Sequence, residues 1–144
     1  MTSKRLRTLP HDLDAERALL GALILKPEAM HDVSVTVFPE SFFAEKHKEI
    51  YRALVELFTK GDPIDILSVS NQLKYNEQLE RIGGTSYVAE LIEIVPAAGN
   101  AQYYGKLVQD KSILRGLIYA ADDISELGFS NPQNIDETLD QAEK

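Results

Sequence analysis

From Asn100 to Leu127 the chain carries no proline and repeats apolar residues at three- and four-residue intervals, so this stretch reads as one helix. At 1.5 Å per residue it would run about 40 Å, longer than the roughly 30 Å diameter of a small domain. Its apolar positions Leu107, Leu114, Leu117, Ile118, Ala121, Ile124 and Leu127 approximate a heptad seam that Asp110 and Lys111 interrupt. Gly128 and Pro132 then mark a turn. Asn134, with Glu137 three residues on, is a capping-box-like start for a last helix carrying Ile135, Leu139 and Ala142. A helix that outruns its domain has two outcomes. A partner covers the seam, since large exposed apolar patches mark interfaces, or the helix crosses the rest of the chain as a central core element. The expectation is self-association through these seven positions.

The remainder is also helical in pattern, because no segment alternates long enough to make a strand. Asp12 is placed to cap a first helix, with Asp14 and Glu16 in its favourable first turn and Leu13, Leu20, Leu23 and Ile24 on one face. Pro27 discourages continuation past Leu25 and suits the first position of a short second helix carrying Met30 and Val33. Phe38 to Phe43 is an aromatic corner, and Glu45 to Lys60 is a helix stopped by Gly61. After the turn Gly61-Asp62-Pro63-Ile64-Asp65, Ser68 with Asn71 resembles a weak cap for a helix through Leu73. Thr85 is expected to cap a helix bounded by Pro96. The fold class is therefore all-α, a compact bundle of about five helices followed by a long helical hairpin. The expected layout is a disordered basic tail at 1–8, a globular part at 9–96 and the hairpin at 97–144.

With 144 residues the chain is long enough to bury roughly 68–70% of its unfolded surface, so no staple is required. The absence of cysteine excludes disulfides, thiolate metal sites and cysteine nucleophiles. Apolar runs such as Ala18 to Leu25 fall short of a membrane span, and a cytoplasmic location is expected. The net charge of −8 is unevenly spread. Lys4, Arg5 and Arg7 make the start basic, whereas residues 121–144 hold seven carboxylates against Lys144, a balance of −6. A phosphate backbone would be repelled there. Asp122, Asp123 and Glu126 form either a docking face for a basic partner or a solvated helix surface, and Phe129 marks an apolar hairpin tip that is the other docking candidate.

Chemistry is sparse. No Gly-x-x-x-x-Gly-Lys-Ser/Thr loop occurs, so nothing in the chain cradles a nucleotide phosphate. His11 beside Asp12 and Asp14 is the one seed of a metal site, and a surface histidine beside a helix cap is the plainer account. Ser41, His47 and Glu45 make a nucleophile trio on paper only, because such trios are recognised by geometry. Tyr103 and Tyr104 suit packing better than base stacking in so acidic a chain. Gly21 and Gly116 lie inside helical patterns, where a close helix contact would explain them. No catalytic, cofactor or metal residue is assigned.

Several short phrases occur in a familiar order. Leu9-Pro10-His11 precedes Ala15-Glu16 and Leu20-Gly21, then Phe42-Phe43 comes with His47 and Ile50-Tyr51. Gly61-Asp62-Pro63-Ile64-Asp65 follows, then Gly83-Gly84 with Tyr87 and Leu91, and finally Pro96, Asn100, Tyr104 and Val108. From about Leu9 to Lys144 this pattern resembles the N-terminal domain of bacterial replicative DNA helicases of the DnaB family. The resemblance implies a piece of a helicase cut before its linker and ATPase domain, itself not catalytic and without a cofactor. The full-length enzyme would unwind DNA at the replication fork with ATP and magnesium. The piece would serve as a collar, paired through its hairpin into dimers and a trimer of dimers within a hexamer, and would dock primase. A helicase loader is a further implied partner, DNA would be contacted through the full hexamer, and no membrane is involved. The alternative is the helicase-binding domain of a primase or a stand-alone helical adaptor.

Overall fold

The computed structural model describes residues 7–144, so the expectation for the basic tail falls largely outside the described residues. Every regular element described is helical: α1 (Leu13–Leu25), α2 (Met30–Thr36), α3 (Glu45–Lys60), α4 (Ile66–Tyr75), α5 (Leu79–Ile82), α6 (Gly84–Ile94), α7 (Ala101–Phe129) and α8 (Ile135–Glu143). The all-α expectation holds. None of these helices is long and apolar enough to cross a membrane. By internal packing the chain divides into two units, one spanning Pro10–Ser112 and the other built on Ile113–Lys144, with α7 contributing to both.

In the Pro10–Ser112 unit, α1 starts where Asp12 accepts a hydrogen bond from the Ala15 amide at 3.0 Å, the expected cap. Its burial differs from expectation. Ala15, Ala18, Leu19, Leu20, Ala22, Leu23 and Ile24 are all buried, so α1 is the central element of the core rather than a helix with one apolar face. Gly21 explains how α6 reaches it. A Cβ at that position would lie 2.2 Å from the Leu91 carbonyl oxygen, so only glycine admits the backbone of α6 this closely.

Around α1 the sequence signals held in most places and shifted in three. α3 has its expected bounds, and Gly61 ends it in the left-handed conformation at φ 75°. Pro27 opens a 3-10 turn (Pro27–Ala29) that leads into α2, whose Met30 and Val33 are buried. α4 starts earlier than expected. Asp65 is its cap, accepting from the Ser68 amide at 2.8 Å while the Ser68 hydroxyl accepts from the Asp65 amide at 2.9 Å, so Ser68 is the inner partner of a reciprocal box. Thr85 is likewise not a cap, because Gly83, at φ 111°, already occupies that position for α6. The one-turn α5 was not anticipated, being too short to show a period.

α7 leaves a 3-10 turn (Ala98–Asn100) and buries Ala101, Tyr104 and Val108 in the globular core. Tyr104 is therefore a packing residue, as expected, while its neighbour Tyr103 is exposed. In the Ile113–Lys144 unit, α7 runs through Gly128 and ends at Phe129, two residues beyond the expected Leu127. The reversal is made beyond Gly128, by Asn131 at φ 52°, with the Ser130 hydroxyl donating to the Leu127 carbonyl at 2.8 Å. Asn134 caps α8 as expected, accepting from the Glu137 amide at 3.0 Å.

Candidate functional site: the helical hairpin and a buried polar cluster

Two places concentrate chemistry that the core does not consume. One is the surface of the Ile113–Lys144 unit. Leu114, Leu117, Ile118, Ala121 and Ile124 are exposed along α7, Leu127 is half-buried, and Leu117 keeps 68% of its surface open. Leu107, the first member of the expected seam, instead belongs to the Pro10–Ser112 unit and is partly buried against that unit's own core. The seven-residue seam did not include the exposed Ile113 on α7, nor the exposed Ile135 and Leu139, which the sequence placed on the last helix but not in the interface. The signal for them was available, since Ile113 precedes Leu117 by four and Ile135 precedes Leu139 by four. Leaving this many large apolar groups in water is costly, at roughly 25 cal/mol per Å² of apolar surface.

The acidic candidates are sorted by the same hairpin. Asp123 and Glu126 line a notch of about 510 Å³ together with Leu127, Ser130 and Gln141, and Asp122 is exposed outside that lining. Phe129 stands at the end of α7 with 89% of its surface exposed.

The second place is inside the Pro10–Ser112 unit, and nothing in the sequence pattern located it. Glu16, expected in the favourable first turn of α1, is only 2% exposed and reaches across to the start of α3. Its Oε2 accepts from the Phe43 amide at 2.7 Å and its Oε1 from the Ala44 amide at 3.3 Å. These donors precede a helix whose own cap residue, Ala44, has no side-chain acceptor. A carboxylate there also meets the positive end of the helix dipole. The same Oε1 lies 2.7 Å from Nδ1 of the fully buried His47, which therefore donates, and Nε2 meets the Tyr87 hydroxyl at 2.6 Å. Lys46 places its Nζ 4.1 Å from the Tyr87 ring centroid.

This arrangement ties α1, α3 and α6 together and offers no nucleophile. Glu45 pairs with Lys48 at 2.9 Å, and Ser41 accepts from the Phe38 amide at 3.0 Å, so the trio of Ser41, His47 and Glu45 is not assembled. His11 stacks on Phe43 with ring centroids 4.3 Å apart, Asp12 caps α1 and Asp14 pairs with Arg17. Among the described residues no group of three or more histidine or carboxylate side chains converges as metal ligands would.

The architecture is that of an all-α domain carrying an apolar, acid-edged hairpin. A family model for the DnaB-like helicase N terminal domain matches residues 8–110, and the chain belongs to that family. It is 40% identical over 138 residues to the replicative DNA helicase DnaB of Geobacillus stearothermophilus, covering 96% of this chain and 30% of that protein. It is 38% identical, with the same coverage, to the replicative DNA helicase DnaC of Bacillus subtilis (strain 168). This chain thus spans about a third of those relatives. Among solved structures, the N-terminal domain of DnaB helicase from Mycobacterium tuberculosis superposes with a TM-score of 0.90 at 34% identity, covering 94% of this chain and 96% of that one. A structure of a DnaB-like replicative helicase and its interactions with primase matches with a TM-score of 0.74 at 26% identity, covering 91% of this chain and 31% of that one.

Proposed function

We propose that this chain is the collar and oligomerisation domain of a replicative DNA helicase, self-associating through its hairpin and offering that hairpin to primase. The observation that carries this reading is the exposed apolar surface of the Ile113–Lys144 unit, on a chain akin to replicative helicases. The helicase itself would unwind duplex DNA at the fork in the cytoplasm, as a hexamer built of dimers, with DNA contacted by the whole ring and a loader assisting assembly. The working division is a globular part at 9–96 and a hairpin at 97–144. Identity of 34–40% to helicases supports this reading over a primase domain or a free-standing adaptor.

ATP and magnesium belong to the whole helicase in this reading. The residues here do not fit them: there is no glycine-rich loop with its lysine, and among the described residues no cluster of metal-ligating carboxylates. No step of ATP chemistry is assigned to this chain.

The test is sedimentation equilibrium over a dilution series, comparing the native chain with a Leu114→Glu, Leu117→Glu double variant. The native chain should dimerise and the variant should be monomeric with unchanged helical circular dichroism. A native chain that is monomeric at high concentration overturns the self-association reading.

A further inference from the structure

Within the Pro10–Ser112 unit, α7 starts out antiparallel to α1. Lys26 Nζ lies 3.7 Å from the Cβ position of Gly99, in the turn that leads into α7, and Leu19 Cδ1 lies 3.9 Å from that of Gly105. Followed backwards, the chain therefore leaves α1 in the direction in which α7 runs on. Arg7, Thr8 and Leu9 belong by packing to the unit built on Ile113–Lys144. On that length of α7 one side chain departs from its neighbours: Arg115 is 6% exposed, whereas Ile113, Leu114, Gly116 and Leu117 are all exposed. A side chain buried on an otherwise open length of helix marks a covered face. Asp122, seven residues on, and Glu126, eleven on, continue that face, since two and three turns of a helix return to it. Both carboxylates are exposed, and neither forms an ion pair among the described residues.

We propose that residues 4–7 dock on this face of α7, with Lys4 and Arg5 paired to Asp122 and Glu126. Charge and reach choose this occupant. Lys4, Arg5 and Arg7 make the start of the chain basic, and the two carboxylates belong to the stretch 121–144 whose balance is −6. Asp122 stands about 10 Å beyond Arg115 on a helix rising 1.5 Å per residue, and the three residues from Arg7 back to Lys4 span the same distance at about 3.3 Å each when extended. Docked there, the basic segment occupies two of the three carboxylates of the acidic edge, so it competes within its own chain with any basic partner that uses them. That competition rests on the docking reading of the hairpin, whereas the contact itself does not.

Tryptic cleavage after Arg7 reads the contact, because proteolysis tracks the population in which the segment is released. Asp122→Lys with Glu126→Lys should speed this cleavage about tenfold, the loss expected when a few exposed ion pairs act together. Lys4→Ala with Arg5→Ala should speed it as much, and all four changes together should add nothing further, because each pair of changes removes the same interaction. Asp136→Lys with Asp140→Lys on α8, an equal change in net charge, should leave the native rate. Circular dichroism checks that α7 stays helical, and high salt should speed cleavage of the native chain alone. Equal rates for the native chain and the α7 variant, or an equal rise in the α8 variant, overturn the contact. Protection that grows with protein concentration overturns the choice of the chain's own segment in favour of a second copy. Stopped flow then reads the competition: Lys4→Ala with Arg5→Ala should speed association with the helicase-binding domain of primase several-fold. An unchanged rate overturns the competition while leaving the contact, and no association at all overturns the docking reading instead.

Discussion

Glu16 Oε1 and His47 Nδ1 lie 2.7 Å apart across 31 residues of sequence, the carboxylate 2% exposed and the imidazole fully buried. One side chain of α1 thereby supplies the N-terminal acceptor that α3 lacks and fixes the imidazole that reaches Tyr87 on α6. Such a cluster is worth most when complete, since each buried donor left without its acceptor bears its full desolvation penalty.

Glu16→Ala should therefore destabilise the domain by about 3 kcal/mol, because it strips the acceptor from two amides and an imidazole at once. Asp14→Ala, two residues earlier, removes an ion pair with Arg17 whose carboxylate is 93% exposed, and should cost under about 1 kcal/mol. Urea unfolding followed by circular dichroism compares them, and equal losses would refute the role assigned to Glu16.

Gly21→Ala should lower the melting temperature by about 7 °C, corresponding to about 2 kcal/mol of overpacking where a methyl would meet the Leu91 carbonyl. Differential scanning calorimetry on the two proteins measures this directly. An unchanged melting temperature would mean that α6 slides freely over α1.

Tyr51 gives the fold an alkaline limit. Its hydroxyl donates to the Val37 carbonyl at 2.8 Å in the buried core, and burial pushes its pKa well above the ordinary tyrosine value. The unfolded chain then loses this proton first as pH rises above about 10, so the folded state holds more protons and stability falls with increasing pH. Tyr51→Phe should reduce that alkaline slope while costing about 1 kcal/mol at neutral pH through the unpaired Val37 carbonyl. Urea midpoints measured from pH 8 to 11 decide it, and parallel curves for both proteins would count against this account.

The acidic edge of the hairpin should act mainly on the rate of docking. Asp122→Lys, Asp123→Lys and Glu126→Lys together should slow association with the helicase-binding domain of primase about tenfold at low salt. The effect should fade as salt shortens the Debye length below roughly 8 Å. Stopped-flow association across a salt series is the measurement. Equal rates and equal salt slopes would make these carboxylates a solvated surface and turn attention to Phe129.

The sequence by itself determined most of the helices and the punctuation of several, though not the one-turn α5 or the caps of α4 and α6. Asp12, Gly61 and Asn134 end or begin helices through bonds and dihedrals confined to a few neighbouring residues, so their chemistry is visible in a short window. The long α7 and its exposed apolar side chains were legible for the same reason, because a 3.6-residue period needs no partner to be seen. Tertiary structure decided the rest. Glu16 has the same local context as any first-turn acid, and only the approach of α3 makes it a buried cap. Gly21 and Gly116 look alike in sequence, yet one faces a carbonyl and the other open space. Leu107 and Leu114 share a heptad position but only Leu107 packs partly buried against the globular core, because burial depends on what lies opposite a side chain, and that is set by packing over long sequence separations.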